Sequence, residues 1–200
     1  MRKSNAIAIY MGMAVGDAIG APWEFTNPNP LISWQDIEMR TGGKHNVSLG
    51  EWTDDTALAR CIADAYLKHQ KLDVKQCYEN FVAWENTGFF GTRDHIFDIG
   101  ITTMTAIGNY KLGQNGKTLF GVDDFQAQGN GGIMRLAPVI IANWNDLNNC
   151  RLESIKSSML THSSAECLYF ADRLACDLWT GTYRDYLPEL FQRYTENSGH

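Results

Sequence analysis

The chain has 200 residues, of which 44% are hydrophobic, 12% aromatic and 20% charged. This length and composition suffice for a domain with a substantial core, and they exclude a disordered chain, a collagen-like chain and a disulfide-stapled miniprotein. The formal net charge of −6 argues against a protein that binds nucleic acid through its overall field.

The N-terminal region is apolar over residues 6–15 and follows Arg2 and Lys3, as in a signal peptide. Gly12 and Gly16 interrupt this stretch, and Asp17 lies where a cleavage site would need small residues. We therefore predict a buried first helix, no apolar run long enough to cross a membrane, and a cytoplasmic protein. The cysteines are odd in number and form no Cys-x-x-Cys pair, which favours buried, reduced thiols.

Helical periodicity dominates the chain and predicts a single all-α domain over residues 1–200. An irregular stretch over residues 20–50 follows the first helix, and residues 133–142 are apolar enough to be buried. Ser163 and Glu166 match a capping box, which predicts that a helix begins there and ends at Gly181. The other predicted helices cover residues 5–19, 53–69, 73–85, 99–110, 152–161 and 183–194.

The segment Glu51-Trp52-Thr53-Asp54-Asp55-Thr56 is the most informative polar motif. One interpretation is structural, because Thr53 can cap a helix whose first turn carries two acids that complement the helix dipole. The other is functional, because adjacent carboxylates beside a hydroxyl are hard oxygen ligands for Mg²⁺. The spacing alone favours the cap.

Two further acidic residues, Asp17 and Glu24, lie at positions where they could contact a ligand. Asp17 is flanked by Gly16 and Ala18, and Glu24 lies on the loop after the first helix, where its carboxylate could reach a substrate. Each also fits an ordinary helix end and surface loop.

A glycine-rich segment follows later and could present several backbone N–H groups to a phosphate, although turns use the same residues. It comprises Gly129, Asn130, Gly131 and Gly132. Asp98 and His162 are uninformative when each is taken alone.

Together, five segments resemble the ADP-ribosylglycohydrolase family of the dinitrogenase reductase-activating type. The segments are GMAVGDAIGAPWEF, EWTDDTALA, FDIGITTMTAI, GNGGIMRLAPV and THSSAE. Their order and approximate spacing agree with the family over residues 7–181, and the joint occurrence of WTDDT and GNGxxMR is highly specific.

The resemblance implies a compact all-α fold and hydrolysis of the glycosidic bond that joins ADP-ribose to a modified side chain, with Mg²⁺ or Mn²⁺. It implies metal ligation by Thr53, Asp54 and Asp55, and catalytic roles for Glu24 and Asp98. Asp17, the segment from Gly129 to Gly132, and His162 would bind the substrate. The expected partners are an ADP-ribosylated protein or ADP-ribose, without a membrane or nucleic acid.

The sequence departs from the family in one respect, because no D-x-D-T-like motif follows Gly181. Because the carboxylates of that motif would complete the metal site, the ligands that this sequence supplies would hold one metal ion or none. Apolar surface left uncovered would call for a protein partner or a second copy of the chain. Two functions therefore stay open, an active hydrolase and a catalytically inactive binding or inhibitor protein.

Overall fold

The computed structural model describes residues 3–27, 37–113 and 116–181. These ranges contain seven α-helices and no β-strand, which confirms the all-α prediction. The helices are α1 Lys3–Gly20, α2 Asp54–His69, α3 Val74–Thr87, α4 Ile101–Lys111, α5 Ala137–Ala142, α6 Leu147–Ser158 and α7 Ala165–Thr180. Short 3₁₀ turns at Ala21–Trp23 and Asn130–Gly132 precede the loops that carry Glu24 and Ile133.

The helix ends follow from local capping chemistry. Thr53, Asp73 and Asp146 each accept a hydrogen bond from a backbone N–H of the first turn of α2, α3 and α6, respectively. The capping box predicted at Ser163 is wrong by one residue, because the side chain of Ser164 accepts from the Cys167 N–H instead. Gly181 ends α7 in the left-handed conformation, as predicted. The helix predicted over residues 183–194 lies outside the described residues.

The core lies between α2 and α3; α5 packs against α2, and α6 and α7 pack against α5 and each other. Leu58, Ile62 and Phe81 are fully buried at its centre. The apolar stretch predicted to be buried contributes Leu136, Val139 and Ile140 to this core. All five cysteines are free; four are buried and Cys176 is half-buried. This core holds the N-terminus of α2 in a fixed place.

The prediction of a buried first helix is wrong for most of α1, in which only Ala18 is buried. Within the described residues α1 packs against α2, α5 and the turn Ala21–Trp23. These elements lie along part of its surface, so Ile7, Met11 and Val15 are exposed. The described part of the molecule therefore presents an apolar helix face to solvent.

One helical stretch among the described residues, Lys3–Trp23, is long and apolar enough to cross a membrane, contrary to expectation. The helix continues through Gly12 and Gly16, so these glycines do not interrupt it. Length and composition are weak support for a span, since core helices and signal sequences share them. Asp17 in this stretch accepts hydrogen bonds from the start of α2, which ties the C-terminal part of α1 to the fold.

Candidate active site

The N-terminus of α2 is tied to α1 by Asp17. Its carboxylate accepts hydrogen bonds from the Thr53 N–H at 3.0 Å, the Thr53 hydroxyl at 2.9 Å and the Thr56 N–H at 3.0 Å. Two of these donors are backbone N–H groups that the helix itself leaves unpaired, and the negative charge lies at the positive end of the helix dipole. Asp17 therefore fixes where Thr53, Asp54 and Asp55 stand.

A salt bridge between Arg93 and Glu51 joins two loops beside this helix start. Arg93 Nη2 lies 2.7 Å from Glu51 Oε2, and Arg93 Nε lies 3.0 Å from Glu51 Oε1. Arg93 Nη2 also donates to the carbonyl oxygens of His45 and Asn46 at 3.2 and 3.1 Å. One guanidinium thus holds both the loop of residues 42–50 and the segment that leads to Asp98.

Gly43 lets that loop approach the residues before Glu24. Its φ is +69°, and a Cβ at this position would lie 2.5 Å from the Pro22 carbonyl oxygen. The close approach brings His45 Nε2 to 3.9 Å from Glu24 Oε2 and 3.8 Å from Asp98 Oδ1. The two residues predicted to be catalytic, far apart in sequence, therefore meet around a histidine.

The carboxylates of this region raise one another's pKa. Burial and the charge of Asp98 raise the pKa of Glu24 to about 7. Burial and the charge of Asp17 raise the pKa of Asp55 to about 6. The pKa of the buried Asp54 carboxyl is raised well above its usual range by burial and then by Asp55. These carboxylates form an acid cluster whose negative charge is not balanced by neighbouring cationic side chains.

The donor set at the start of α2 fits a hard divalent cation. Asp54 and Asp55 supply carboxylate oxygens and Thr53 supplies a hydroxyl, which are the oxygen ligands that Mg²⁺ and Mn²⁺ accept. In addition, Glu24 Oε2 is buried without a hydrogen-bond partner. A bound cation would offset the burial and the mutual repulsion that raise the pKa values of these carboxyl groups.

The glycine-rich segment lies on the connection between α4 and α5 and packs against residues at the end of α6 and on the loop that follows it. A Cβ on Gly131 would lie 2.5 Å from the Cε1 atom of His162, and one on Gly132 would lie 2.3 Å from the Ser158 hydroxyl. His162 is 3% exposed, and burial lowers its pKa to about 4, so the ring is neutral at pH 7. The structure therefore places His162 beneath the glycines as a support, and direct contact of His162 with a ligand stays a prediction.

A groove of about 830 Å³ runs between α1 and α7 and reaches both motif regions. Asp55 and Asn130 lie on it, beside apolar side chains that include Met13, Trp144 and Trp179. This volume is within the range of small-molecule sites. The groove therefore connects the acid cluster with the glycine-rich segment.

The structure brings together the predicted residues Asp17, Glu24, Asp54, Asp55 and Asp98 as one electrostatic cluster. Sequence reasoning missed His45 and Arg93. Neither lies in a recognisable motif, and their roles arise from loop contacts between residues more than 40 positions apart. The sequence offered only an indirect indication of these two residues, because both lie in glycine-rich loops that flank acidic motifs.

Comparisons with known proteins point to one family. The model of the ADP-ribosylglycohydrolase family matches residues 1–192. The chain is 35% identical over 164 residues to ADP-ribosylarginine hydrolase Tri1 of Serratia proteamaculans, covering 82% of this chain and 43% of the relative. It is 28% identical over 170 residues to the ADP-ribosyl-[dinitrogen reductase] glycohydrolase of Rhodospirillum rubrum, covering 82% of this chain and 54% of the relative.

A solved structure, described as an ADP-ribosylglycohydrolase-related protein complex, superposes with a TM-score of 0.71 at 30% identity. The match covers 88% of this chain and 55% of that one. The chain thus spans about half the length of the relatives it matches. The matched family model and these similarities show that the chain belongs to the ADP-ribosylglycohydrolase family.

Proposed function

We propose that this protein hydrolyses the glycosidic bond between ADP-ribose and a modified arginine side chain, with the help of a divalent metal ion. The observation that carries the proposal is the gathering of Glu24, Asp54, Asp55 and Asp98 around the anchored start of α2. The arginine linkage is suggested by two relatives at 35% and 34% identity that are named ADP-ribosylarginine hydrolase.

The chemistry suits a cluster of carboxylates. Breaking the bond between the anomeric carbon and the arginine nitrogen passes through a transition state with positive charge on the ribose ring. Asp98 would stabilise this charge, while water adds to the anomeric carbon and releases a proton to the solvent. Glu24, whose pKa is raised to about 7, would give its proton to the departing guanidine nitrogen.

Thr53, Asp54 and Asp55 would hold the metal ion, Mg²⁺ or Mn²⁺. When bound, the ion would orient ribose hydroxyls and lower the pKa of a coordinated water. Asp17 is already engaged by three donors of α2, so we assign it a positioning role for these ligands rather than direct contact with substrate. We propose that Thr53, Asp54 and Asp55 together hold one ion.

The groove beside α1 supports a role in binding ADP-ribose. Asp55 lies on this groove together with Asn130. The exposed backbone of Gly129 and Asn130 would meet the diphosphate, and the buried Gly131 and Gly132 would let this backbone pack closely on the residues behind it. His162 would keep that backbone in place from below. The protein partner would be the ADP-ribosylated substrate. Free cysteines support a reducing compartment, which we propose is the cytoplasm.

The alternative is a catalytically inactive binding or inhibitor protein. The exposed apolar face of α1, with Ile7 and Met11 about half exposed, favours a macromolecular contact or self-association. Such a protein could retain ADP-ribose binding while lacking turnover.

Release of ADP-ribose from an arginine-ADP-ribosylated protein separates these functions. The hydrolase predicts multiple turnovers with Mg²⁺ and none after EDTA treatment. Calorimetric titration with ADP-ribose in parallel measures binding without chemistry. Binding without turnover, at protein concentrations equal to the substrate, would establish the inactive alternative and contradict the hydrolase.

A further inference from the structure

His45, Glu24 and Asp98 form a group of three candidate metal ligands beside the proposed Mg²⁺ ligands. One imidazole nitrogen and two carboxylate oxygens lie within 4.8 Å of one another. Ligand bonds to Zn²⁺ of about 2.0–2.2 Å in a tetrahedral site put the ligand atoms of one ion about 3.4 Å from each other. His45 Nε2 lies 3.9 Å from Glu24 Oε2 and 3.8 Å from Asp98 Oδ1, so side-chain movements of about 1 Å or less would close this group around an ion.

The group is held by contacts outside itself. His45 packs between the rings of Phe25 and Phe97, each 5.6 Å away from centroid to centroid. Its backbone carbonyl accepts from Arg93, which is bound to Glu51. The imidazole is thus oriented by aromatic packing and the loop by a salt bridge, which is the kind of support that precise ligand sites require.

Two of the three ligand atoms lack other partners. Glu24 Oε2 and His45 Nε2 are both buried and neither has a hydrogen-bond partner within the described residues. A buried polar atom without a partner costs free energy, and a shared cation would satisfy both atoms. Although these two atoms are buried, the side chains of Glu24, His45 and Asp98 as wholes are half-buried. An ion can therefore enter from the solvent side.

We propose that Glu24, His45 and Asp98 form a second metal site that takes a borderline-soft divalent ion such as Zn²⁺. The imidazole nitrogen distinguishes this site from the all-oxygen set of Thr53, Asp54 and Asp55, because nitrogen ligands favour Zn²⁺ over Mg²⁺. Three protein ligands leave a fourth position open to solvent.

Binding of Zn²⁺ here has a consequence that rests on the proposed function. The ion would occupy the carboxylate of Glu24, which could then no longer give a proton to the leaving guanidine. Zn²⁺ would therefore inhibit hydrolysis that Mg²⁺ supports. The site would make the activity sensitive to the metal that is available.

Calorimetric titration of the full chain with Zn²⁺, in excess Mg²⁺, tests the site directly. We expect one Zn²⁺ per chain, and an affinity at least about tenfold lower in His45→Gln. The matched control is His69→Gln, at the exposed end of α2, which should bind as the unmodified chain does. Unchanged affinity in His45→Gln, as expected for Zn²⁺ held at Cys176 or at the acids alone, would overturn the proposal.

A second measurement needs no variant. In nitrogen-15 spectra of the histidine side chains, one equivalent of Zn²⁺ should shift Nε2 of the imidazole whose protons contact the Phe25 and Phe97 rings. A shift confined to another histidine, or no shift, would contradict the site. Because both measurements record binding, they can succeed where hydrolysis fails, and the failure of either proposal can be told from that of the other.

Discussion

Asp17 illustrates how one residue can link the stability of the fold to the geometry of the site. Its carboxylate satisfies backbone donors of α2 and the hydroxyl of Thr53. The same charge raises the pKa of Asp55. Removing Asp17 therefore takes away hydrogen bonds and also relieves repulsion, and the first effect is the larger because several charged hydrogen bonds are lost.

We predict that Asp17→Ala lowers the free energy of unfolding by about 1–3 kcal/mol and abolishes the Mg²⁺-dependent activity. Urea denaturation in EDTA measures the first effect. The matched control is Asp146→Ala, which removes the cap of α6 and should cost about 1 kcal/mol without loss of activity. Full activity in Asp17→Ala would contradict the positioning role.

Glu24 gives a prediction for the pH dependence. Because its pKa is raised to about 7, the group is protonated below that pH and loses its proton above it. If it is the general acid, the rate of hydrolysis should fall as the pH rises through about 7. Glu24→Gln should be slower by about a hundredfold or more and should lack this fall.

Rate profiles of both proteins from pH 5 to 9, at saturating Mg²⁺, would check this prediction. If the rate of Glu24→Gln falls with rising pH in the same way as that of the unmodified chain, the titrating group is not Glu24.

At the scale of the elements, sequence determined the parts that depend on neighbouring residues. The caps Thr53 and Asp73 and the end at Gly181 follow from short-range chemistry, so α2, α3 and the end of α7 were predictable. Adjacent serines made the start of α7 ambiguous by one residue. The loop of residues 42–50 has no period, and its place depends on Arg93 and Pro22, which are distant in sequence.

The residues of the site were predictable to the extent that they lie in sequence motifs. The resemblance to a family identified five acidic residues in such motifs, and the structure brings these five together. His45 could not be found in this way, because only the tertiary approach of Gly43 to Pro22 puts it between Glu24 and Asp98.

The glycine-rich segment provides a test of an element whose backbone is packed closely. Gly131→Ala would place a Cβ against the ring of His162, and we expect a loss of about 1–3 kcal/mol in unfolding free energy together with weaker ADP-ribose binding.

Gly108→Ala in α4 is the matched control, because a Cβ there meets nothing within 4 Å. It should stabilise the protein by up to about 1 kcal/mol. Thermal unfolding and calorimetric titration with ADP-ribose measure these effects. If Gly131→Ala binds ADP-ribose as tightly as the unmodified chain, the packing of this segment has no part in the binding site.

On the scale of the whole molecule, the acid cluster makes stability depend on pH and metal. Folding raises the pKa of Glu24 to about 7 and that of Asp55 to about 6, and it raises the pKa of Asp54 well above its usual range. Burial of His162 acts in the opposite direction, since it lowers the pKa of that ring to about 4. Because three carboxyl groups gain protons on folding and one imidazole loses its proton, the folded chain holds more protons than the unfolded chain between about pH 4 and 7. Stability in EDTA should therefore decrease as the pH rises through this range.

Saturating Mg²⁺ should remove part of that decrease, because the cation stabilises the ionised carboxylates of the folded state. Melting temperatures measured at several pH values, with EDTA and with Mg²⁺, would check both statements. A melting temperature in EDTA that rises from pH 4 to 7 would contradict the sign of these pKa shifts.

Asp54 and Asp55 are the residues on which the proposed hydrolysis of an ADP-ribosylated side chain depends most. The most direct measurement is release of ADP-ribose from an arginine-ADP-ribosylated protein by the unmodified chain, by Asp54→Asn with Asp55→Asn, and by Asp64→Asn. Asp64 lies on the same helix but pairs with Lys68, so it is the matched control. We predict Mg²⁺-dependent release by the unmodified chain and the control and none by the double variant. Equal release by all three chains, or release by none, would contradict the account.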